Sequence, residues 1–260
     1  MPTKQGQQAF EFKTWGGKRK GAGRPPKGPR SSEPHVARER FSRTMPVHVT
    51  LRVAAPISSL RRPDAYHAIR HAIYATVERT DFRIVHLSIE HNHLHLIVEA
   101  DNDTALSKGL RAFQSSAAQL LNRAISTSTG NRHTGKVFDD RYHSRMIDSP
   151  TQARNAISYV LNNWRRHGRD RGMETMFWDV DYYSSGPTFD GWKELDASPF
   201  LYRTSEYPRL SVSRPRTWLL AKGWRKAGTI SMREVPGPLG NQPGADMLTY
   251  PAEKPRAVNA

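Results

Sequence analysis

Two histidines one residue apart, His93 and His95, and a tyrosine followed one helical turn later by an asparagine, Tyr159 and Asn163, are the residues whose types and spacing can do chemistry in this sequence. A strand over 93–100 sends both imidazoles to one side and Leu94, Leu96 and Val98 to the other. Two neutral imidazoles on one face can converge on a divalent ion. Taken alone, such a pair also suits surface histidines or satisfied core histidines. His91 falls in the preceding turn and is not read as a ligand. A phenol, whose pKa is about 10, attacks phosphorus only where its anion is stabilised and the phosphate polarised, and a nearby metal ion can do both. Taken alone, Tyr159 also suits an idle surface position.

The elements that must carry these residues are legible as periodicities. Val47, Val49, Leu51 and Val53 alternate with His48, Thr50 and Arg52 in a first strand, and Phe82 to Glu90 forms a second, with Val85, Leu87 and Ile89 on one face. A tight Glu90-His91-Asn92 connection leads into the histidine strand, so the two make a hairpin. Between the first two strands, Pro63 and Asp64 open a helix with the face Tyr66, Ile69, Ile73 and Val77. Asp103 or Thr104 caps a long helix with Leu106, Leu110, Phe113, Ala117, Leu120 and Ala124 on its buried side, which Ser126 to Gly130 ends. Val137 to Ile147 reads as a fourth strand, and a third helix follows Asp148-Ser149-Pro150 and runs to about Arg166, with Gly168 as its stop. Its apolar stripe is Ala153, Ile157, Val160, Leu161 and Trp164, which leaves Tyr159 and Asn163 on a separate polar face. The order βαββαβα resembles a ferredoxin-like α+β sandwich, an antiparallel sheet covered by helices on one face.

The 260 residues carry a formal charge of +16, a surplus that attracts polyanions, and residues 1–44 hold +8 of it with eleven Lys and Arg against three Asp and Glu. That stretch is expected to be a disordered basic arm, and its Lys20-Gly21-Ala22-Gly23-Arg24-Pro25-Pro26-Lys27 looks like an AT-hook in which Arg24 and Lys27 meet DNA. The absence of cysteine excludes disulfides, thiolate metal sites and a cysteine nucleophile. No apolar run approaches the length of a membrane span and neither end reads as a signal peptide, so a cytoplasmic, nucleoid-associated protein without membrane contact is expected. Four parts follow: the arm at 1–44, a catalytic domain at 45–168, an aromatic and basic appendage at 169–235, and a flexible tail at 236–260. In the appendage, Trp218, Leu219 and Trp224 interleave with Arg214, Arg216, Lys222, Arg225 and Lys226, which suits either a stacking surface or tryptophans packed on the main domain.

Together, His93-Leu94-His95 and Tyr159-Val160-Leu161-Asn162-Asn163, separated by a fourth strand, resemble the HUH superfamily of single-strand endonucleases, in particular the single-tyrosine IS200-like and REP-associated tyrosine transposases. The resemblance covers about residues 45–168. It implies a metal-dependent single-stranded DNA endonuclease and strand transferase that forms a 5′-phosphotyrosine. It further implies Mg2+ or Mn2+ held by His93, His95 and Asn163, Tyr159 as nucleophile, and single-stranded or hairpin DNA as partner. Two positions depart from the family pattern: Trp164 stands where proline is common, and His91-Asn92 where Pro-Asn is. Tyr142 is the reserve nucleophile; Arg141, His143 and Arg145 on one strand face, with Arg165 and Arg166, are candidates to line the DNA path. An unused, domesticated DNA-binding site of the same fold and a histidine-triad-like nucleotide hydrolase are the alternatives. Whether the chain works alone or as a homodimer stays open.

Overall fold

The computed structural model describes residues 42–54, 57, 59–139, 141–172, 178–196 and 207–237. The AT-hook-like segment with Arg24 and Lys27, and the tail beyond residue 237, lie outside the described residues. The elements are β1 (Val47–Arg52), α1 (Pro63–Val77), β2 (Phe82–Ile89), β3 (His93–Ala100), α2 (Asp103–Thr129), β4 (His143–Met146), α3 (Pro150–Arg166) and α4 (Trp218–Ala221). The four strands form one antiparallel sheet in the order β2-β3-β1-β4, so the chain is an α+β fold in the expected element order.

The helices start and stop for local reasons. Pro63 sits at the first turn of α1, where its missing N–H costs nothing, and the Ser149 side chain accepts the Gln152 N–H at the head of α3. The cap of α2 is Asn102, which accepts from the Ala105 N–H at 2.9 Å, rather than Asp103 or Thr104. Gly130, at φ 70°, takes the left-handed conformation that ends α2. The buried stripe of α2 runs Leu106, Leu110, Phe113, Ala117, Leu121; Leu120 and Ala124 lie at its margin. Within it, Gly109 admits the Phe82 ring so closely that a Cβ there would fall 2.1 Å from the ring.

Helices cover both faces of the sheet, not one. The helices α1 and α2 bury one face against Val47, Val49, Leu51, Leu87, Ile89, Leu94, Leu96 and Val98, while α3 packs the other through Val85, Ile97 and its own Ala153, Ile157, Val160 and Leu161. Val85 is on the α3 side because a bulge at 85–86 breaks the alternation of β2, so it does not share a face with Leu87 and Ile89. The fourth strand is shorter than its sequence pattern. Phe138 makes one isolated bridge with Val53, and regular pairing resumes only at His143 opposite Thr50. Val77, at the last position of α1, is 47% exposed and does not join the buried stripe.

The region after α3 folds back over that helix. Ser184 bridges Ser88 at the edge of β2, with Ile89 N–H donating to Tyr183 O and Ser185 N–H to Leu87 O, both at 2.8 Å. Trp192, Leu219, Leu220, Trp224 and Ile230 complete the core on the α3 side. Trp224 is buried as a core side chain, whereas Trp218 is 50% exposed with the Lys226 ammonium 5.1 Å from its ring centre.

Candidate active site

The β3 backbone puts His93 and His95 side by side beneath α3, 2% and 1% exposed, with their Nε2 atoms 2.9 Å apart. Asn92 Oδ1 can only accept, so Nδ1 of His93 donates to it at 2.8 Å and the lone pair is left on Nε2. Nδ1 of His95 meets Thr50 Oγ1 at 3.2 Å, from the position directly opposite on β1. Burial lowers the His93 pKa to about 4, with Glu90 opposing and His167, Arg52 and His91 reinforcing the shift. Burial also holds His95 well below the ordinary imidazole value, with help from His93, His48 and His167. Both rings are therefore neutral at pH 7, as metal ligation requires. Two nitrogens at right angles on an octahedral ion, each about 2.0–2.1 Å away, lie about 2.9 Å apart, so the observed spacing fits a shared cation.

Tyr159 reaches the same place from α3. It is half-buried, its ring edge-on to His95 with centroids 5.1 Å apart and to His48 at 6.0 Å. The Arg166 guanidinium lies 5.9 Å from the Tyr159 ring centre. Asn163 is fully buried, and neither its Oδ1 nor its Nδ2 has a hydrogen-bond partner among the described residues. A buried amide with both atoms unpaired is costly, on the order of 1–3 kcal/mol per group, and a cation that reached Oδ1 would offset that cost. Among the described residues no cluster of three or more His, Cys, Asp or Glu stands ready for a metal, so two imidazoles and one amide are the donor set to consider. On the separate polar face of α3, Asn163 is buried and Tyr159 half-buried, so that face is not an open surface.

The remaining sequence candidates divide. His143 and Arg145 stand opposite Thr50 and His48 on β4 and so share the face of the histidines. Arg141 precedes the strand and is exposed. Tyr142 packs against the α1–α2 core, on the other side of the sheet from His95. Arg165 is bound internally: it donates to Met232 O at 2.6 Å, Asp179 O at 3.0 Å and Asp170 Oδ2 at 3.1 Å, which ties α3 to the segments around it.

Four neighbours were not singled out from the sequence. His48 stacks on His95 at 5.2 Å; burial, with His143, Arg145 and His93 adding to it, lowers its pKa to about 3, and its Nε2 has no partner among the described residues. The alternation of β1 marks His48 as polar-facing, but an antiparallel sheet with one covered face would turn it to water. Glu90, in the turn before His93, is buried and accepts from Ser88 Oγ at 2.6 Å; burial raises its pKa, and Arg61, His93 and Ser88 more than reverse that, so it stays a carboxylate. Arg61 grips Asp181 through two bonds of 2.7 and 2.8 Å and donates to Ile89 O at 3.0 Å, which fixes the β2–β3 turn. His167, directly after α3, opposes protonation of both ligand candidates, and burial, with Arg166, Arg169 and Arg61 adding and Glu90 opposing, lowers its own pKa.

Residues 42–163 match the family model described as Transposase IS200 like. A REP-associated tyrosine transposase solved bound to a REP hairpin is similar at 16% identity, over 71% of this chain and 99% of that one, with a TM-score of 0.45. A provisionally assigned transposase of Deinococcus radiodurans R1 is similar at 10% identity, over 54% of this chain and 98% of that one, with a TM-score of 0.34. No curated protein matches. The matched residues, 42–163, hold the four strands, α1, α2 and all but the last three residues of α3, so this part of the chain is similar to the IS200-like transposases.

Proposed function

We propose that this protein is a metal-dependent single-stranded DNA endonuclease and strand transferase in which Tyr159 is the nucleophile. The observation that carries the reading is the packing of the Tyr159 ring against His95, whose ring and that of His93 are held neutral with their Nε2 atoms 2.9 Å apart. A divalent ion, Mg2+ or Mn2+, held by His93, His95 and Asn163 would polarise the target phosphate and stabilise the phenolate. Tyr159 Oη attacks phosphorus, and the bond from phosphorus to the 3′-oxygen breaks. The phenol proton is lost to solvent and the departing 3′-oxygen takes one up. The 5′-phosphate stays on the tyrosine, so the energy of the phosphodiester is kept, and a second 3′-OH can displace Tyr159 and rejoin strands without ATP. Asn92 and Thr50 keep the two imidazoles in register, and α3, covered on both sides, keeps Tyr159 over them.

The test is the covalent intermediate. With Mn2+ and single-stranded DNA from its own locus, the full-length protein is expected to shift on a denaturing gel with 3′-labelled but not 5′-labelled DNA, the adduct mapping to the peptide around Tyr159. Tyr159→Phe and His93→Ala/His95→Ala are expected to give no adduct. Cleavage of that DNA without an adduct would end the tyrosine mechanism, and DNA binding that never leads to cleavage would leave a DNA-binding domain with an unused site.

A further inference from the structure

A basic concavity lies apart from the histidines. A groove of about 520 Å³ opens between the C-terminal end of α1, the start of β2 and residues 211–216, and four arginines line it: Arg79, Arg83, Arg214 and Arg216. Two have carboxylate partners, Arg79 with Asp81 at 2.8 Å and Arg83 with Glu99 at 3.5 Å. Arg214 and Arg216 are exposed, and neither pairs with a carboxylate among the described residues. Arg79 Nε is buried with no acceptor among the described residues, a donor left pointing at nothing. Burial, and then the crowding of Arg216, lower the Arg83 pKa, with Glu99 and Asp101 opposing. Tyr74 and Val77, 48% and 47% exposed, supply an apolar wall, and the Tyr74 hydroxyl hydrogen-bonds Ser211 Oγ at 3.2 Å.

The groove is built rather than loose. Glu99 accepts the backbone N–H groups of Arg216 and Thr217, each at 2.9 Å, and the Thr217 hydroxyl at 2.7 Å, while Ser213 N–H donates to Ile84 O at 2.8 Å. Residues 213–217 are thus pinned to the sheet before any ligand arrives, which lowers the ordering cost of binding. Glu99 is on the same face of β3 as His95 and four residues further on, on the order of 13 Å at about 3.3 Å per residue. That distance corresponds to roughly four stacked nucleotides at about 3.4 Å each.

We propose that this groove holds the phosphodiester backbone of the substrate DNA some nucleotides away from the scissile phosphate, a proposal that rests on the DNA-cleaving reading above. Arginines beside an exposed tyrosine suit backbone phosphates and an adjoining sugar or base. The groove fixes the register of the strand, and the histidine pair with Tyr159 acts where that register delivers the phosphate.

Fluorescence anisotropy of the full-length protein on single-stranded and hairpin oligonucleotides, from 50 to 200 mM salt, tests it. Arg214→Gln/Arg216→Gln is compared with Arg111→Gln/Arg123→Gln, which removes equal charge from exposed positions on α2, and circular dichroism checks that both variants are folded. The groove variant is expected to bind about tenfold more weakly at 100 mM salt. Its dependence of log K on log salt should be shallower by about 1.8 if the ligand is a duplex stem, or about 1.4 if a single strand. The α2 variant should stay within twofold of wild type. Equal losses in the two variants, or a groove variant with the wild-type salt slope, overturn the proposal. Wild type that binds DNA through the groove but never forms the Tyr159 adduct defeats the endonuclease reading alone; adduct formation with an unchanged slope in the groove variant defeats the groove alone.

Discussion

The two faces of the sheet are made by the same strands and buried to nearly the same degree, yet they differ in kind. Towards α1 and α2 the strands present valine, leucine, isoleucine and Phe82; towards α3 they present His48, Thr50, His86, Ser88, His93, His95 and Glu99, with Val85 and Ile97 among them. The first face excludes water and supplies stability through apolar area. The second buries polar groups, which is costly unless each finds a partner, and His48 Nε2 on the sheet and the Asn163 amide on α3 have none among the described residues. A fold keeps such a face when it uses it. Neighbours on β3, one pointing each way, should therefore fail in opposite manners.

The largest effect expected is on that pair of neighbours. His95→Ala should reduce metal-dependent adduct formation at least a hundredfold, while changing unfolding free energy by about 1 kcal/mol or less, because a desolvated imidazole is removed along with its contacts. Leu96→Ala, one residue on, should cost about 2–5 kcal/mol and leave the adduct rate per folded molecule unchanged. Urea denaturation alongside single-turnover kinetics reads both. If Leu96→Ala impairs chemistry in folded protein as severely as His95→Ala, the division of labour between the faces is wrong. His91→Ala, in the half-buried turn before β3, should stay within about twofold in rate, because it removes only the smallest of the influences that lower the His93 pKa.

The same contrast explains what the sequence could disclose. The boundaries of β3 and the positions of α1, α2 and α3 follow from strong local periodicity, proline and capping signals. In an antiparallel sheet, however, alternation of polar and apolar residues ordinarily means one wet face, and here the polar face lies under α3. That is why His48 read as outward-facing and why Tyr159 and Asn163 read as an open surface. The bulge at 85–86 and the shortening of β4 to His143–Met146 depend on pairing across strands, which no local pattern reports. Beyond α3, short 3₁₀ turns at Gly186–Thr188, Lys193–Asp196 and Gly223–Ala227 lie among segments pinned by distant partners, Arg61 with Asp181, Lys193 N–H with Ile230 O and Glu99 with Thr217, so their positions could not be read from residues nearby in the chain.

Glu99 offers a sharper cut within the polar face, because it acts by holding structure. Glu99→Ala removes the acceptor of two backbone N–H groups and one hydroxyl and leaves Arg83 without its carboxylate. A loss of about 1.5–3 kcal/mol is expected. Hydrogen exchange should speed up in residues 211–221 while α1 and α2 remain protected. Faster exchange across α1 and α2 of the same size would show that the appendage is not a separately anchored layer.

The smallest expected effect distinguishes buried neutral histidines from solvated ones. Burial lowers the His86 pKa to about 4, from an ordinary value of 6.5; its Nδ1 lies 3.4 Å from Ser185 Oγ, and that oxygen already accepts the Leu87 N–H and so has its own proton to donate. Between pH 6.5 and 4 the unfolded chain takes up a proton at this position and the folded chain does not. Stability therefore rises with pH through that window, is fully present above 6.5, and falls as the solution is acidified towards 4. His48 and His93 act in the same direction, with values of about 3 and 4. Replacing His86 with phenylalanine removes one of these protons without touching the proposed metal ligands, so the decline in unfolding free energy from pH 7 to pH 5 should shrink by about 1–2 kcal/mol. Because the quantity compared is a difference between two pH values in one variant, any packing penalty of the larger ring cancels. Urea midpoints at the two pH values measure it, and an unchanged decline in His86→Phe would mean that His86 titrates in the folded protein much as it does in water, which would place water at His86 on the α3 side of the sheet.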